Sequence, residues 1–142
     1  MLYQAAIVYS RTSMFPHHRS IPPHHQHDPH LHADTERRCA SILTLASTHL
    51  ETDQLVCRHD LFPLFIAGVA TTQPDAKIHA IDCAKAFERA GGIGRNTART
   101  RRLLVAVCEE QRRVVGAGGR MEMVEWWAVA EERGLGVVNC GL

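Results

Sequence analysis

Lysine is nearly missing from this sequence, aromatic side chains are few, and long apolar runs are absent. Each shortage removes a class of function. Only Lys77 and Lys85 are lysines, and the 16 Lys and Arg residues balance 15 Asp and Glu, for a formal net charge of +1. No field of one sign dominates such a surface, so bulk charge gives no pull toward nucleic acid or acidic membranes. The longest apolar stretch, Leu61 to Ala70, is broken by Pro63 and reaches only about half of the roughly 20 residues that cross a bilayer. The opening MLYQAAIVYSRTS has neither a basic leader nor a long apolar core, so it does not read as a secretory signal. A soluble intracellular protein is expected, with no membrane partner.

Close cysteine pairs are also lacking. The five cysteines, Cys39, Cys57, Cys83, Cys108 and Cys140, are widely separated, which fits neither a zinc knuckle nor a disulfide framework. Cys39, Cys83 and Cys108 fall within apolar helical patterns and read as buried free thiols of a reducing compartment. There is no Gly-x-Ser-x-Gly elbow, no His-Glu-x-x-His pair and no cysteine in a motif that lowers its pKa. His49, His59 and His79 stand singly near polar neighbours and read as surface or hydrogen-bonded residues rather than general bases. The acidic residues form no inward-facing pair. The sequence therefore nominates no catalytic residue, no cofactor-binding residue and no metal ligand, and an enzyme is not expected.

What is present is helical periodicity, over 142 residues of which 45% are hydrophobic, enough for one modest domain. Leu2, Ala5, Ala6, Tyr9 and Ser13 trace one face of a first helix that stops at Phe15-Pro16. Asp34 and Thr35 are good N-caps for a second, in which Cys39, Ile42, Leu43, Ala46 and Leu50 form a buried stripe. Leu55 to Val69 is apolar all round and predicts the buried centre of the domain, with Pro63 marking a helix start or kink. Pro74 suits the first turn of a fourth helix, whose Ile78, Ile81, Ala84 and Phe87 share a face up to Gly91-Gly92. Asn96 or Thr97 caps a fifth, with Leu103, Leu104, Val107, Cys108 and Gln111 inward and the glycines from Gly116 to Gly119 ending it. A last helix runs from about Glu122 to Glu132 and ends at Gly134. No alternating strand pattern extends beyond a few residues. The expected fold is all-α, with five or six amphipathic helices packed irregularly.

Four features invite a functional reading. Between Pro16 and Ala33 lie four prolines and the histidines 17, 18, 24, 25, 27, 30 and 32, with little to bury. This predicts a disordered loop at about 16–33, in which metal binding is adventitious because nothing holds the imidazoles in fixed geometry. Gly91 to Asn96 has the glycines of a phosphate cradle, yet no Lys-Ser or Lys-Thr follows and the preceding segment reads as helix. Arginines cluster at Arg99, Arg101, Arg102 and at Arg112, Arg113, and the last two have Glu109 and Glu110 at helix-pairing distance, which predicts a solvated, salt-bridged face. Adjacent Trp126 and Trp127 point about 100° apart on a helix, so one is expected in the core and the other at its edge.

Three segments, in order, resemble the fungal-specific transcription factor domain, the regulatory region that follows a binuclear zinc cluster in many fungal regulators. They are Leu2-Tyr3-Gln4-Ala5-Ala6-Ile7-Val8-Tyr9; Leu61-Phe62-Pro63-Leu64-Phe65-Ile66-Ala67-Gly68; and the set comprising the Gly91 to Asn96 turn, the arginine-rich helix through Val107 and the Glu125-Trp126 helix before Gly134-Leu135. Cys108 departs from the pattern, which often has tryptophan there. The resemblance implies the C-terminal part of that regulatory domain over residues 1–142, belonging to a larger helical domain and acting in the nucleus through protein partners or self-association. It also implies that zinc and direct DNA contact belong to a cluster outside this chain. A free-standing helical interaction module is the alternative.

Overall fold

The computed structural model describes residues 1–12, 29–52, 58–90, 95–121 and 124–135, excepting the side chains of Arg58, His59 and Arg95. These residues form six helices and no strand: α1 (Leu2–Thr12), α2 (Pro29–Glu51), α3 (Arg58–Ala70), α4 (Pro74–Arg89), α5 (Arg95–Gly116) and α6 (Trp126–Glu132). The all-α expectation holds.

α3 is the axis of the fold. Leu61 and every residue from Pro63 to Val69 are buried, so no face is left for water. α1, α2, α4 and α5 each pack against α3, and along that order each touches the next. α6 packs on α5. The helix begins at Arg58, ahead of Pro63, which sits inside it. Gly68 explains how α4 and α5 come so near. A Cβ placed there would lie 2.8 Å from Ala80 Cβ and 2.9 Å from Leu104 Cδ1, so the position admits no side chain without movement.

The stripes of α2 and α5 are as expected: Cys39, Ile42, Leu43 and Ala46 are buried with Leu50 against them, and Leu103, Leu104, Val107, Cys108 and Gln111 are buried. Two other stripes are rotated. On α4 the inward residues are Ala80, Cys83, Ala84 and Phe87, whereas Ile78 is 56% exposed and Ile81 half-buried. On α1 they are Ala5 and Val8, while Leu2 and Ala6 face outward. In both helices alanines take part of the inner face, Ala80 and Ala84 beside Phe87 on α4 and Ala5 beside Val8 on α1, and Ala80 sits where the approach to Gly68 leaves no room for a larger side chain.

Helix starts differ from the sequence expectation in three places. α2 begins at Pro29, not at Asp34 or Thr35. Proline at a first helical position already has the required φ and lacks an N–H that would go unpaired. Thr35 lies well inside, its hydroxyl donating to Leu31 O at 2.9 Å. The His/Pro-rich segment therefore gives up Pro29 to Ala33 to a helix, and its remainder to Asp28 lies outside the described residues. α5 begins at Arg95, so Asn96 and Thr97 belong to its first turn rather than capping it. α6 starts at Trp126, after an extended Glu125, rather than near Glu122.

Helix ends follow glycine chemistry. After α5, Gly118 takes φ +79° and Gly119 N donates to Val114 O at 2.8 Å. After α6, Gly134 takes φ +60° and Leu135 N donates to Ala130 O at 2.9 Å. Both are left-handed terminations that satisfy carbonyls of the last turn, and L side chains disfavour that φ. The glycines at 91, 92 and 94 lie outside the described residues.

Candidate functional site

Among the described residues, polar side chains hold helix to helix at several joints, the Arg101–Glu88 pair of α5 and α4 being one. The first ties α1 to α2. Asp34 accepts from Arg11 Nη1 at 2.7 Å, Arg38 Nε at 2.8 Å and Arg37 Nη1 at 3.1 Å, and Arg38 also reaches Gln4. Arg11 and Arg38 hold the Asp34 carboxyl at about 2, below its ordinary 3.8.

The second joint closes the C-terminal end of α3. Lys77 Nζ donates to Gly68 O at 3.1 Å and to Gln111 Oε1 at 2.6 Å, with Val69 O at 3.4 Å. Gln111 Nε2 donates in turn to Val69 O at 3.0 Å. An ammonium at the carbonyl end of a helix also meets the negative end of the helix dipole. Just beyond, Glu36 of α2 accepts from Thr71 Oγ1 at 2.6 Å, Thr72 N at 2.6 Å and Thr72 Oγ1 at 2.7 Å. Burial pushes the Lys77 amine below its ordinary pKa. It also pushes the Cys39 thiol up to about 12, with the Glu36 charge adding to the rise.

At the third joint, His49 Nδ1 lies 3.1 Å from Asp60 Oδ2, joining the end of α2 to the start of α3. The fourth has the reactive atoms. Ser47 of α2 meets His79 and Cys83 of α4, with Oγ 2.8 Å from His79 Nε2 and 3.5 Å from Cys83 Sγ. Sγ and Nε2 are 3.7 Å apart. Ser47 also donates its hydroxyl proton to Leu43 O at 3.1 Å, which leaves its lone pairs for the imidazole and the thiol. His79 is exposed and Cys83 buried, so the cluster runs from surface to core.

As a nucleophile site this trio is poorly built. The Ser47 proton is directed at a helix carbonyl, and burial raises the Cys83 thiol pKa despite the Ser47 hydrogen bond, which lowers it. A thiol is nucleophilic as the thiolate. Backbone N–H groups in mid-helix are also committed to the helix ladder, so they offer no oxyanion cradle. Among the described residues no three His, Cys, Asp or Glu side chains converge to hold a metal ion.

The remaining residues singled out by sequence reasoning fall as follows. Cys39, Cys83 and Cys108 are buried free thiols, whereas Cys57 and Cys140 lie outside the described residues. Glu110 pairs with Arg113, and Arg101 with Glu88 at 2.6 Å, so the arginine-rich helix is salt-bridged within α5 and to α4. Trp126 packs edge-on against Phe65, ring centroids 5.5 Å apart, and Trp127 packs edge-on against Trp126 at 5.6 Å. Trp126 borders the core as one of its half-buried neighbours, and Trp127 stacks outside it. His79 was not singular after all, because His79 and Cys83 stand four apart on one helix face. That spacing is visible in the sequence, while the approach of Ser47 from α2 is not.

No helix among the described residues is long and apolar enough to cross a membrane. No family model, curated protein or solved structure matches this chain.

Proposed function

We propose that this chain is a non-catalytic regulatory segment of a fungal-type transcription factor, acting in the nucleus through protein contacts and relying on a zinc cluster elsewhere for DNA binding. The observation that carries the reading is the role of the Leu61 to Gly68 phrase, on which the resemblance most depends. It forms the buried axis α3, and its final glycine is the point where α4 and α5 approach. A phrase kept for packing accounts for its residue types without a ligand. The polar clusters favour the same reading, since their hydrogen bonds join one helix to another.

A reporter assay tests it. The chain fused to an unrelated DNA-binding domain is expected to change transcription from a matching reporter in a fungal host, and Gly68→Val, which disrupts the axis, is expected to abolish the change. Output equal to that of the DNA-binding domain alone removes the proposal.

A free-standing helical interaction module is favoured by one observation. α1 carries Leu2 and Tyr3 at 49% and 75% exposure while its other face is in the core. Exposed apolar side chains on a helix held in place suit a protein partner or a second copy. Size-exclusion chromatography with thermal melting separates the two. A monodisperse, cooperatively melting species favours the module, and aggregation with a broad transition favours part of a larger domain.

A further inference from the structure

The Ser47, His79 and Cys83 joint, besides bonding α2 to α4, brings together donor atoms of the kinds that hold a metal ion. In a tetrahedral zinc site the metal lies about 2.3 Å from sulfur and about 2.0–2.1 Å from an imidazole nitrogen, which sets those two ligands roughly 3.5 Å apart. The His79 Nε2 and Cys83 Sγ atoms are 3.7 Å apart, and Ser47 Oγ completes a triangle at 2.8 Å and 3.5 Å. Thiol and imidazole are the ligands that zinc-class cations prefer over oxygen.

The helices supply the rigidity that such a site needs. His79 and Cys83, four residues apart on α4, project from one face by one turn. Ala80, between them, is the residue seated against Gly68, so this part of α4 is fixed to the axis. Ser47 is fixed from α2 by its bond to Leu43 O. That bond turns its lone pairs toward the space the other two share.

We propose that His79, Cys83 and Ser47 form a binding site for a thiophilic divalent cation of the zinc class, with water completing the coordination. His79 and Cys83 are the strong ligands, and the neutral Ser47 hydroxyl is a weak third. On binding, the Cys83 thiol passes its proton to solvent and the thiolate bonds the metal. In the metal-free cluster the Nε2 proton of His79 is donated to Ser47 Oγ; on binding, Nε2 gives that proton to solvent while Nδ1 takes one up, so the imidazole stays neutral and bonds the metal through the Nε2 lone pair. One proton leaves per metal bound, so affinity rises with pH. The His/Pro-rich segment contains no thiol, so the thiolate distinguishes this site from it.

Cobalt(II) titration of the reduced full chain reads the site directly, because a thiolate ligand gives a near-ultraviolet charge-transfer band that imidazoles alone do not. The expected result is such a band saturating at about one equivalent, reversed by zinc, and abolished in Cys83→Ala. His79 is exposed, so His79→Gln tests the site without entering the core, and it is expected to weaken binding on the order of tenfold or more. Replacing the histidines at 17, 18, 24, 25, 27, 30 and 32 by glutamine is expected to leave the band intact. A wild-type chain without the band overturns the proposal. So does a band that survives Cys83→Ala, or one that is indifferent to His79→Gln. Should Cys83→Ala fail to fold by circular dichroism, the His79→Gln result decides.

Discussion

The axis and the joints around it are held by opposite kinds of force. α3 is surrounded by apolar contacts and depends on shape, with Gly68 as its tightest point. The joints at Asp34, at Lys77 with Gln111, and at Ser47 with His79 depend on charge and on hydrogen-bond partners. A shape-dependent region resists changes in pH and fails when its volume changes. A region dependent on partners tolerates some change of size and responds to protonation. The contrast separates the substitutions that unfold this chain from those that only retune it.

The contrast can be broken first at its strong end. Phe65→Ala empties a fully buried position beside Trp126 and is expected to cost about 3–5 kcal/mol, measured by urea denaturation. A loss under about 1 kcal/mol would mean that α3 is not the centre. Gly68→Val is the opposite perturbation, adding volume where Ala80 and Leu104 leave none. Overpacking of this kind costs about 1–3 kcal/mol, and a neutral outcome would show that α4 is free to slide.

Moving to the joints, Gln111→Ala leaves a half-buried ammonium and the Val69 carbonyl each short of a partner. Its expected cost is about 1–3 kcal/mol. Gln111→Met, which fills similar space, is expected to recover little of that loss if hydrogen bonding matters more than volume here.

The pH responses are smaller and differ in sign. Asp34 titrates at about 2 in the folded chain against an ordinary 3.8. Its stabilising contribution is present above 3.8 and is lost as pH falls toward about 2. Asp34→Asn is expected to flatten that acid limb in pH-dependent melts, lying below the wild type at neutral pH and converging with it as pH falls toward about 2. At the alkaline end Cys39 keeps its proton to about 12 in the folded chain, whereas an ordinary thiol ionises near 9.0. The unfolded chain loses that proton first, so stability falls as pH rises from about 9 toward 12. Lys77, lowered from 10.5, slopes the other way, since there the unfolded chain holds the extra proton. Cys39→Ala is therefore expected to make the alkaline limb shallower, and Lys77→Met to make it steeper.

How much of this was legible in the sequence depended on which residues line each inner face. α2 and α5 bury leucine, isoleucine, valine and cysteine, so apolar periodicity locates their stripes. α4 and α1 turn alanines inward, and periodicity weighted toward bulky residues picked Ile78 and Leu2, which face outward. The deciding fact is the approach of helices to α3, set by a glycine and an alanine in different elements. Helix starts were misplaced for a local reason. Asp34, Thr35, Asn96 and Thr97 have cap chemistry, but Asp34 serves Arg11 and Arg38 instead. Half of the candidate site was readable as a histidine and a cysteine four apart. The other half, Ser47, comes from a residue separated by 32 positions from His79, and only tertiary packing brings it there.

The attachment of α1 has a consequence of another kind. It enters the core through Ala5 and Val8 and is tied to α2 by Arg11 and Asp34, while the chain between α1 and α2 runs through residues 13–28. Binding α1 to the other helices is thus an intramolecular association, governed by the effective concentration that its connection provides. The docking of α1 therefore rests on its inward face and on Arg11, and a variant that loses either is expected to release the helix.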